Sequence, residues 1–483
     1  MGDGMFLLQK TGTKSLLNCL YDSVRKVWWN GEELKSKVHT LSLKLRTSKK
    51  LLIFCYCQNT IGSVLSYLSL VNAGHALALF DSKTNRQKRG NLISLYKPDM
   101  IICPSSTASD LDGEAEYSEP GNLIFDQMLY RRKSTGPSNS INKNLALLLS
   151  TSGSTGNPKL VRLSRENVEA NARSIAAALK IDATERAITS LPIHYSFGLS
   201  VLNSHLVAGG SVVLNDSSPL ERSFWEIFRE LNCTSFAGVP FLYQLLDRIH
   251  FAKMNLPSLR TMTQAGGKMS EEYIRKFHKI LSSKDARLVV MYGQTEATAR
   301  MSCMPHESLH QKIGSVGVAI PQGKIQIKVE NEITHESNQV GEIVYSGPNV
   351  MMGYATSRED LSRGNEMGSV LATGDMGYLD QEGYLYVTGR KKRFSKLFGL
   401  RINLDDIERF MNQYGPTAVV GNDERLWVFC SHGDEKAFQN YARELSQTLN
   451  VPFSAIRFDY IKSIPFTSSG KVDYRELEAL VWN

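Results

Sequence analysis

Long apolar runs are missing from this sequence. None approaches the ~18 residues that a membrane-spanning helix needs, and the N-terminal string MGDGMFLLQKTGTKSLL has no long apolar core with a small-residue cleavage site. A cytoplasmic location without a membrane span is therefore expected. Cysteine is also scarce, with seven scattered over 483 residues. Cys55 and Cys57 lie on one side of the apolar string LLIFCYC, so buried thiols are predicted there rather than metal ligands.

Other function classes also lack their usual signals. The net charge of +8 is modest for this length, and no stripe of Lys and Arg alternates with aromatic residues, so nucleic-acid binding is not predicted. The Walker motif GxxxxGK[ST] does not occur. The string HESLH, from His306 to His310, fits HExxH but follows Pro305 in a short segment. Zinc is not predicted there, because that motif needs both histidines on one helix face.

The chain is long enough for two or more domains. From Leu51 onward, short apolar strings such as LLIFCYC and HALALF alternate with strings of helical spacing. This alternation is typical of an α/β fold with a mostly parallel sheet. It resumes with SVVLN, LRTMTQAGG and RLVVMYG, which predict a second α/β unit. Residues 104–144 are rich in Ser, Asp, Gly and Asn and are predicted to form a loop.

The last third of the chain changes in character. Residues 311–389 show no helical pattern and predict a small β unit with a hairpin that turns at Glu382 and Gly383. Beyond it, FGLRINLDDIERFMNQY, WVFC and AIRFDYI predict a compact α+β module of roughly ninety residues. The string GRKKRFSKLFGLR, residues 389–401, holds six basic residues and no acid. It is either a solvated face or a surface that faces phosphate.

The segment 145–171 carries the strongest functional signal. An apolar strand ending at Leu149 leads into STSGSTGNPK, and a helix is predicted after Ser164 as N-cap, with Asn167 at its third position. Glycines permit a tight turn, and the hydroxyls add donors to the exposed backbone N–H groups. Lys159 adds a positive charge at the end of the loop, which suits polyphosphate. Composition alone would favour a flexible Ser/Gly surface loop over a phosphate site.

Three later strand ends also carry polar groups. Ligands of open α/β sheets lie beyond the carboxyl ends of the strands. LPIHYSFGLS places His194 after one strand, although a lone histidine in an apolar segment is often a core residue. TQAGGKMS places two glycines after another, and MYGQTEAT follows a third.

These strings resemble, in order, the motifs of the adenylate-forming (AMP-binding) ligases, the superfamily of acyl-CoA synthetases, stand-alone adenylation domains and luciferases. TSGSTGNPK matches the signature loop of that superfamily at every position. The resemblance implies that Tyr292 stacks on adenine and that the Thr295 hydroxyl meets the α-phosphate. It also makes Glu296 the ligand of the Mg²⁺ that accompanies ATP.

Three later segments, GSVGVAIP, GEIVYSGPNVMMGY and ATGDMGYLDQEGYLYVTGR, also resemble family segments in the expected order. With the C-terminal motif they extend the resemblance over about residues 60–475. Asp375 corresponds to the carboxylate that takes both ribose hydroxyls, and Arg390 to the arginine that reaches ribose and phosphate. Lys471, in IPFTSSGKVDY, corresponds to the catalytic lysine, and Lys396 to a position presented after the small domain turns. The family's hinge residue is typically Asp or Lys, whereas this chain has Arg393 there. Arg393 is expected to lie on an exposed linker, where a long polar residue can still absorb backbone rotation.

The resemblance therefore assigns two sets of residues and a domain plan. Nucleotide binding falls to Thr151, Ser152, Gly153, Ser154, Thr155, Gly156, Lys159, Gly266, Gly267, Lys268, Tyr292, Gly293, Gln294, Asp375 and Arg390. Catalysis falls to Lys471, Thr295, Glu296, Lys396 and His194, with Glu296 as the metal ligand. The plan is a large domain, 1–389, of two α/β subdomains (to about 310) and a small β-barrel unit (about 311–389), a hinge at 390–393, and a mobile α+β domain, 394–483.

The implied activity is ATP-dependent formation of an acyl-adenylate and transfer of the acyl group to a thiol. Ser196 stands where amino-acid-activating relatives hold the substrate ammonium with Asp, so a fatty or aryl acid is favoured. The acceptor thiol belongs to CoA or to the phosphopantetheine of an acyl or peptidyl carrier protein, and the sequence does not decide between them. The alternatives are an amino-acid adenylation enzyme that loads a peptidyl carrier protein, an inactive nucleotide-binding relative, and a light-producing oxygenase.

Overall fold

The computed structural model describes residues 5–8, 19–110, 116–118, 121–133, 140–150, 159–391, 393–395, 397, 402–422, 424–449, 451–467 and 470–482. The chain forms two compact units. The first comprises residues 1–324 and 345–371, and the second comprises residues 325–344 and 372–483. Among the described residues, no helix combines the length and the apolar character needed to cross a membrane.

The first unit contains an eight-stranded sheet whose four central strands are parallel. Its strands, in spatial order, are Gly353–Ala355, Leu160–Ser164, Leu145–Ser150, Ala76–Asp81, Leu52–Cys57, Met100–Pro104, Gln127–Arg131 and Gly121–Ile124. The last two strands lie where composition predicted a loop, so that prediction is wrong for them. Leu129 and Tyr130 are buried there, and the strand pairs antiparallel with Met100–Pro104. Pairing with a formed edge strand outweighs the polar composition of the segment.

A nine-stranded sheet forms the second layer of strands in this unit. Its strands, in spatial order, are Val318–Ala319, Ser302–Cys303, Arg287–Tyr292, Thr261–Gln264, Ser235–Gly238, Arg186–Ile188, Ser211–Leu214, Leu20–Asp22 and Val27–Trp29. The six strands from Arg287–Tyr292 to Leu20–Asp22 run parallel. The carboxyl ends of these parallel strands therefore meet at one edge, which is where the predicted motifs lie.

Helices cover the sheets, and two of them, Ile61–Asn72 and Ser196–Ala208, are buried along most of their length. Those of the first unit are Gly31–Leu45, Ile61–Asn72, Arg86–Tyr96, Arg165–Leu179, Ser196–Ala208, Arg222–Glu230, Pro240–Arg248 and Glu271–Ser282. The helix after the signature loop begins as predicted, since Ser164 and Asn167 form a reciprocal capping box. The alternation of strand and helix confirms the predicted α/β fold.

The remaining sheets are smaller. One has five strands, in the order Glu332–Thr334, Lys324–Val329, Gly341–Ser346, Val370–Leu379 and Leu385–Arg390. The others have three strands, Thr417–Gly421, Leu426–Cys430 and Ile456–Tyr460, and two strands, Phe394–Ser395 and Ile402–Asn403. The second unit also contains the helices Leu404–Met411, Glu435–Leu449 and Tyr474–Trp482.

The predicted β unit is interrupted in the structure. The hairpin turns at Gly383, whose φ of 82° suits glycine. Residues 345–371, however, belong to the first unit, because Gly353–Ala355 pairs antiparallel with Leu160–Ser164.

All seven cysteines are buried and form no disulfides, and the sulfur atoms of Cys55 and Cys57 lie 3.6 Å apart. The prediction of buried thiols in that strand is confirmed.

Candidate active site

The adenine and metal motif follows the strand Arg287–Tyr292 and forms a tight loop. Thr295–Ala297 makes a single 3₁₀ turn, and Thr298 and Ala299 have positive φ values of 63° and 143°. A Cβ on Gly293 would lie 1.9 Å from the carbonyl oxygen of Ala299. Only glycine therefore allows the chain to fold back over the strand end at this position.

Glu296 and Lys159 come together on one tyrosine. The Tyr354 hydroxyl donates a hydrogen bond of 2.8 Å to Oε1 of Glu296, and the Lys159 ammonium lies 3.8 Å from the centroid of the same ring. Burial and then the neighbouring carboxylate raise the pKa of Tyr354, so its hydroxyl keeps its proton and remains a donor. Two motifs far apart in sequence thus bring a carboxylate and a cation to the same tyrosine. Metal-bound polyphosphate calls for both kinds of group, a carboxylate for the metal and a cation for the phosphate.

Tyr354 was not assigned a role from the sequence. It is the last residue of GEIVYSGPNVMMGY, a segment that resembles the family. The strand Gly353–Ala355 places it opposite Val161 in the eight-stranded sheet, two residues after Lys159. A tyrosine that ends a recognised motif is a signal, but only the strand pairing reveals what the side chain contacts.

His194 and Ser196, both in the string LPIHYSFGLS, lie at or just before the start of the helix Ser196–Ala208. The Ser196 hydroxyl is 3.1 Å from the Thr295 hydroxyl, which joins this helix to the nucleotide motif. His194 Nε2 lies 4.0 Å from Asp81, and burial lowers the pKa of His194 while Asp81 opposes the shift. His194 is therefore a mostly buried, neutral imidazole at neutral pH.

The paired glycines approach the same helix. Gly266 has a φ of 86°, and a Cβ there would lie 2.8 Å from the Tyr195 hydroxyl. Gly267 offers its carbonyl to the Gln264 side chain at 2.8 Å, while Lys268 is exposed. A flat ligand can approach this backbone closely because neither glycine carries a side chain.

Arg300 is a further charged residue of this region, and sequence reasoning missed it. Its side chain is 3% exposed, and its guanidinium carbon lies 3.7 Å from the centroid of the Phe197 ring. The signal in the sequence was an arginine four positions after Glu296, within the small and apolar residues of ATARMSC. An arginine is rarely buried without a reason.

In the second unit the predicted ribose ligands lie together. Asp375 is 6% exposed and pairs with Arg390 on the adjacent antiparallel strand, with Arg390 Nε 3.4 Å from Asp375 Oδ1.

The main chain of the predicted catalytic lysine, Lys471, is held by Thr467. Thr467 donates its N–H to the Lys471 carbonyl at 2.7 Å, and its hydroxyl accepts the Lys471 N–H at 3.2 Å. Gly470 has a φ of 73°, as a tight turn before the lysine requires.

Arg393 differs from the expectation of an exposed linker. Its side chain is only 15% exposed, and it forms ion pairs with Asp405 and Glu408. The ring of Tyr474 lies under its guanidinium at 3.8 Å. The expected exposure was wrong, because acids of the helix Leu404–Met411 draw the arginine into the module.

Some predicted residues cannot be placed. Thr151, Ser152, Gly153, Ser154, Thr155, Gly156 and Lys396 lie outside the described residues. Their roles stay predictions, as do the nucleotide and catalytic roles of the residues described above.

The sequence and the fold define a class of protein. The model of the AMP-binding enzyme family matches residues 11–355, which is most of the chain. The chain therefore belongs to the AMP-binding enzyme family, as the motifs predicted.

Particular relatives can then be compared. An oxalate–CoA ligase of Arabidopsis thaliana is 31% identical over 68% of this chain, and the match covers 66% of that protein, slightly less than two-thirds. A D-alanine–D-alanyl carrier protein ligase of Bacillus licheniformis is 27% identical over 94% of this chain and 93% of its own. The solved O-succinylbenzoate coenzyme A synthetase of Bacillus subtilis, in complex with ATP and magnesium ion, has a TM-score of 0.72 at 20% identity, covering 96% of this chain and 97% of that one. This last likeness confirms the fold.

Proposed function

We propose that this chain activates a carboxylic acid with ATP to give an acyl-adenylate and pyrophosphate, and then transfers the acyl group to a thiol. The observation that carries the proposal is the meeting of Glu296 and Lys159 on Tyr354. The two side chains come from two motifs that the family uses for triphosphate, and they lie together in the first unit. The relatives named above are acid–CoA and acid–carrier protein ligases, which supports the same reaction class.

The residues present fit ATP with Mg²⁺. Glu296 offers a half-buried carboxylate with one oxygen fixed by Tyr354, and hard oxygen ligands of this kind suit Mg²⁺. When bound, the metal would neutralise phosphate charge and orient the leaving pyrophosphate. Lys159 would add a second positive charge, and the Ser/Thr-rich loop before it would supply donors.

The first step forms one bond and breaks one. An oxygen of the substrate carboxylate attacks the α-phosphorus of ATP, and the bond from that phosphorus to the pyrophosphate oxygen breaks. The Thr295 hydroxyl lies 3.1 Å from the Ser196 hydroxyl, and in this proposal it would hold the α-phosphate. Lys471 would bridge substrate and nucleotide oxygens as negative charge develops, which is the kind of stabilisation that preorganised donors give.

The second step uses a thiol from another molecule. The thiol sulfur attacks the carbonyl carbon of the acyl-adenylate, and AMP leaves with the electron pair of the broken C–O bond. The thiol belongs to CoA or to a carrier-protein phosphopantetheine, since relatives of both kinds match this chain. We propose that the small domain turns between the two steps, with the hinge at residues 390–393.

The acid is proposed to lack an α-ammonium group. Ser196 carries no charge where amino-acid-activating relatives carry Asp, and the guanidinium of Arg300 lies against Phe197, the next residue of the helix. A buried cation disfavours a second one nearby. The near full-length match to a D-alanine ligase keeps amino-acid activation as the second candidate.

Pyrophosphate exchange tests the proposal directly. With ATP and Mg²⁺, we expect the purified chain to incorporate labelled pyrophosphate into ATP when a cognate acid is added, and not without one. The panel should include fatty, aryl, dicarboxylic and amino acids, among them D- and L-alanine. Exchange with no acid of any class, in a folded sample, would refute the proposed reaction, and exchange with alanine alone would select the second candidate.

The hinge can be tested at Arg393. Arg393→Pro would lock φ and remove the N–H that donates to the Arg390 carbonyl at 3.2 Å. If the small domain turns here, pyrophosphate exchange is expected to persist while thioester formation falls about tenfold or more. Product thioester is measured under saturating acid and ATP.

Arg393→Ala is the matched control, because it removes the ion pairs with Asp405 and Glu408 but leaves φ free. Breaking such a buried pair costs about 3 kcal/mol or more of stability, so unfolding of both variants is followed by thermal melting. Normal thioester formation by Arg393→Pro would show that the hinge lies elsewhere. Equal losses in both variants would assign the defect to the ion pairs instead.

A further inference from the structure

Arg300 is a buried cation that no carboxylate neutralises among the described residues. Its Nε has no hydrogen-bond partner there, and Nη1 makes a long contact of 3.4 Å with the neighbouring Ala299 carbonyl. Two of the three other buried arginines that the structure describes in the same unit are paired with acids, Arg162 with Glu366 and Arg358 with Asp99. The third, Arg89, donates to the carbonyls of Ser82 and Thr84 at 3.2 Å. Leaving a buried charge unpaired is strongly destabilising, so such a group calls for an explanation.

The guanidinium of Arg300 stays charged near pH 7. Burial lowers the pKa of Arg300 to about 10, and Tyr195 and Cys303 oppose the shift. Both of these are weak acids that are neutral near pH 7, because burial raises the pKa of Tyr195 and raises the pKa of Cys303 to about 12. These two groups therefore supply polar contact to Arg300 but no countercharge near pH 7.

The main chain of Arg300 is held firmly in place. Its carbonyl accepts hydrogen bonds from the side-chain amides of Asn171 at 2.9 Å and Asn349 at 3.1 Å. The backbone of Ala299 and Arg300 passes close to Gly293 at the strand end. A Cβ on Gly293 would lie 2.7 Å from Arg300 Cα, so only glycine allows this approach. A side chain fixed by its backbone and by an aromatic face is arranged as binding residues are.

The space beside Arg300 is small and partly polar. A cavity of about 30 Å³ lies between the helix Ser196–Ala208 and the nine-stranded sheet, and roughly 10–15 Å³ suffices for one water molecule. Its polar walls include Arg300, Arg287, Glu185, Ser200, Ser204, His205 and Thr263. The Glu185 carboxylate is paired with Arg260 at 3.3 Å. Such a space has room for a compact polar group rather than for a long alkyl chain.

Arg300 also lies close to the predicted reaction centre. Its guanidinium rests on Phe197, and the adjacent Ser196 contacts Thr295 at 3.1 Å. Tyr195, which precedes Ser196, reaches the backbone of Gly266. A group bound at Arg300 would therefore be separated from the reacting carboxylate by only a short linker.

We infer that the substrate acid carries a second anionic group, and that Arg300 binds it as a specificity-determining residue. The substrate class is then a short dicarboxylic acid, aliphatic or aromatic, activated at one carboxylate while Arg300 holds the other. A planar guanidinium matches a carboxylate with two parallel N–H donors. This inference rests on the proposed acid activation and narrows the acid from the fatty or aryl class in general to one with two charged ends.

Carbon-matched pairs of acids test the inference. Pyrophosphate exchange is measured with butyrate against succinate, hexanoate against adipate, and benzoate against terephthalate. We expect the wild-type kcat/KM to favour at least one diacid over its matched monoacid by roughly 10- to 100-fold, the range expected of one charged hydrogen-bonding pair. Arg300→Leu should bring the diacid-to-monoacid ratio of kcat/KM close to 1, because it lowers kcat/KM for the diacid more than for the matched monoacid.

Two further variants keep the test decisive. Arg287→Gln alters an arginine that lines the same cavity but already donates to Thr261 at 2.9 Å and to the Leu179 carbonyl at 2.6 Å, so the diacid preference should survive. Arg300→Lys keeps the charge and should retain part of the preference, including in the case where Arg300→Leu melts at too low a temperature to be assayed.

Each contrary outcome points to a different error. A wild-type enzyme that prefers the monoacid of every pair overturns the inference, and so does an equal loss for both acids of a pair in Arg300→Leu. The latter would place Arg300 at the reacting carboxylate or in the fold alone. In both cases acid activation itself would stand, whereas only exchange with no acid of the full panel of fatty, aryl, dicarboxylic and amino acids would refute the proposed function.

Discussion

Replacing Lys471 by alanine is expected to lower pyrophosphate exchange by about 10² to 10³-fold or more, while ATP binding is largely kept. The reason is the timing of the charge. Oxygens of the substrate and the α-phosphate gain negative charge only as the new bond forms, so an ammonium placed there stabilises the transition state more than the ground state. The turn at Gly470 and the two hydrogen bonds with Thr467 hold the lysine main chain.

The measurement separates chemistry from binding. Exchange gives the rate of the first step, and calorimetry gives the affinity for ATP. Supplying a synthetic acyl-adenylate with the acceptor thiol bypasses the first step, so thioester formation from it should persist in Lys471→Ala. Lys462→Ala is the matched control, since Lys462 is an exposed lysine of the same unit. Unchanged exchange in Lys471→Ala would remove the catalytic role from this residue.

The sequence predicted the parts of the site that depend on local order. Lys159 and Glu296 lie in motifs whose residues are neighbours along the chain, and a strand followed by a polar turn places such residues at the edge of a sheet. The capping box of Ser164 and Asn167 is local in the same sense, and the structure has it as predicted. Patterns of this kind need no knowledge of distant contacts.

What the sequence did not predict depends on pairing across long distances. Tyr354 reaches Glu296 only because a short strand joins the edge of the eight-stranded sheet. The strand Gln127–Arg131 forms against an existing edge despite its polar neighbours. Arg393 looked like a linker residue because its partners, Glu408 and the ring of Tyr474, come later in the chain. Burial of a charged residue is a property of the fold, and periodicity does not reveal it.

Replacing Glu296 by glutamine is expected to lower exchange by about 10² to 10³-fold and to raise the Mg²⁺ concentration required for half-maximal rate. The substitution keeps the shape of the side chain and one carbonyl oxygen, but removes the negative charge that a hard divalent cation prefers. The rate is measured over a series of Mg²⁺ concentrations at fixed ATP. A parallel series with Mn²⁺, which binds nitrogen and oxygen ligands more tightly than Mg²⁺, should recover part of the rate.

Two matched variants show whether the loss comes from the metal site. Tyr354→Phe removes the 2.8 Å hydrogen bond to Glu296 but keeps the ring that Lys159 contacts, so a smaller loss of about tenfold is expected. Glu307→Gln changes an exposed acid, 72% accessible, in the same unit and should leave the Mg²⁺ dependence unchanged. If Glu296→Gln lowered the rate equally at every Mg²⁺ concentration, the carboxylate would act by positioning Tyr354 and Lys159 rather than by holding the metal. The meeting of these three side chains would then serve the phosphate directly.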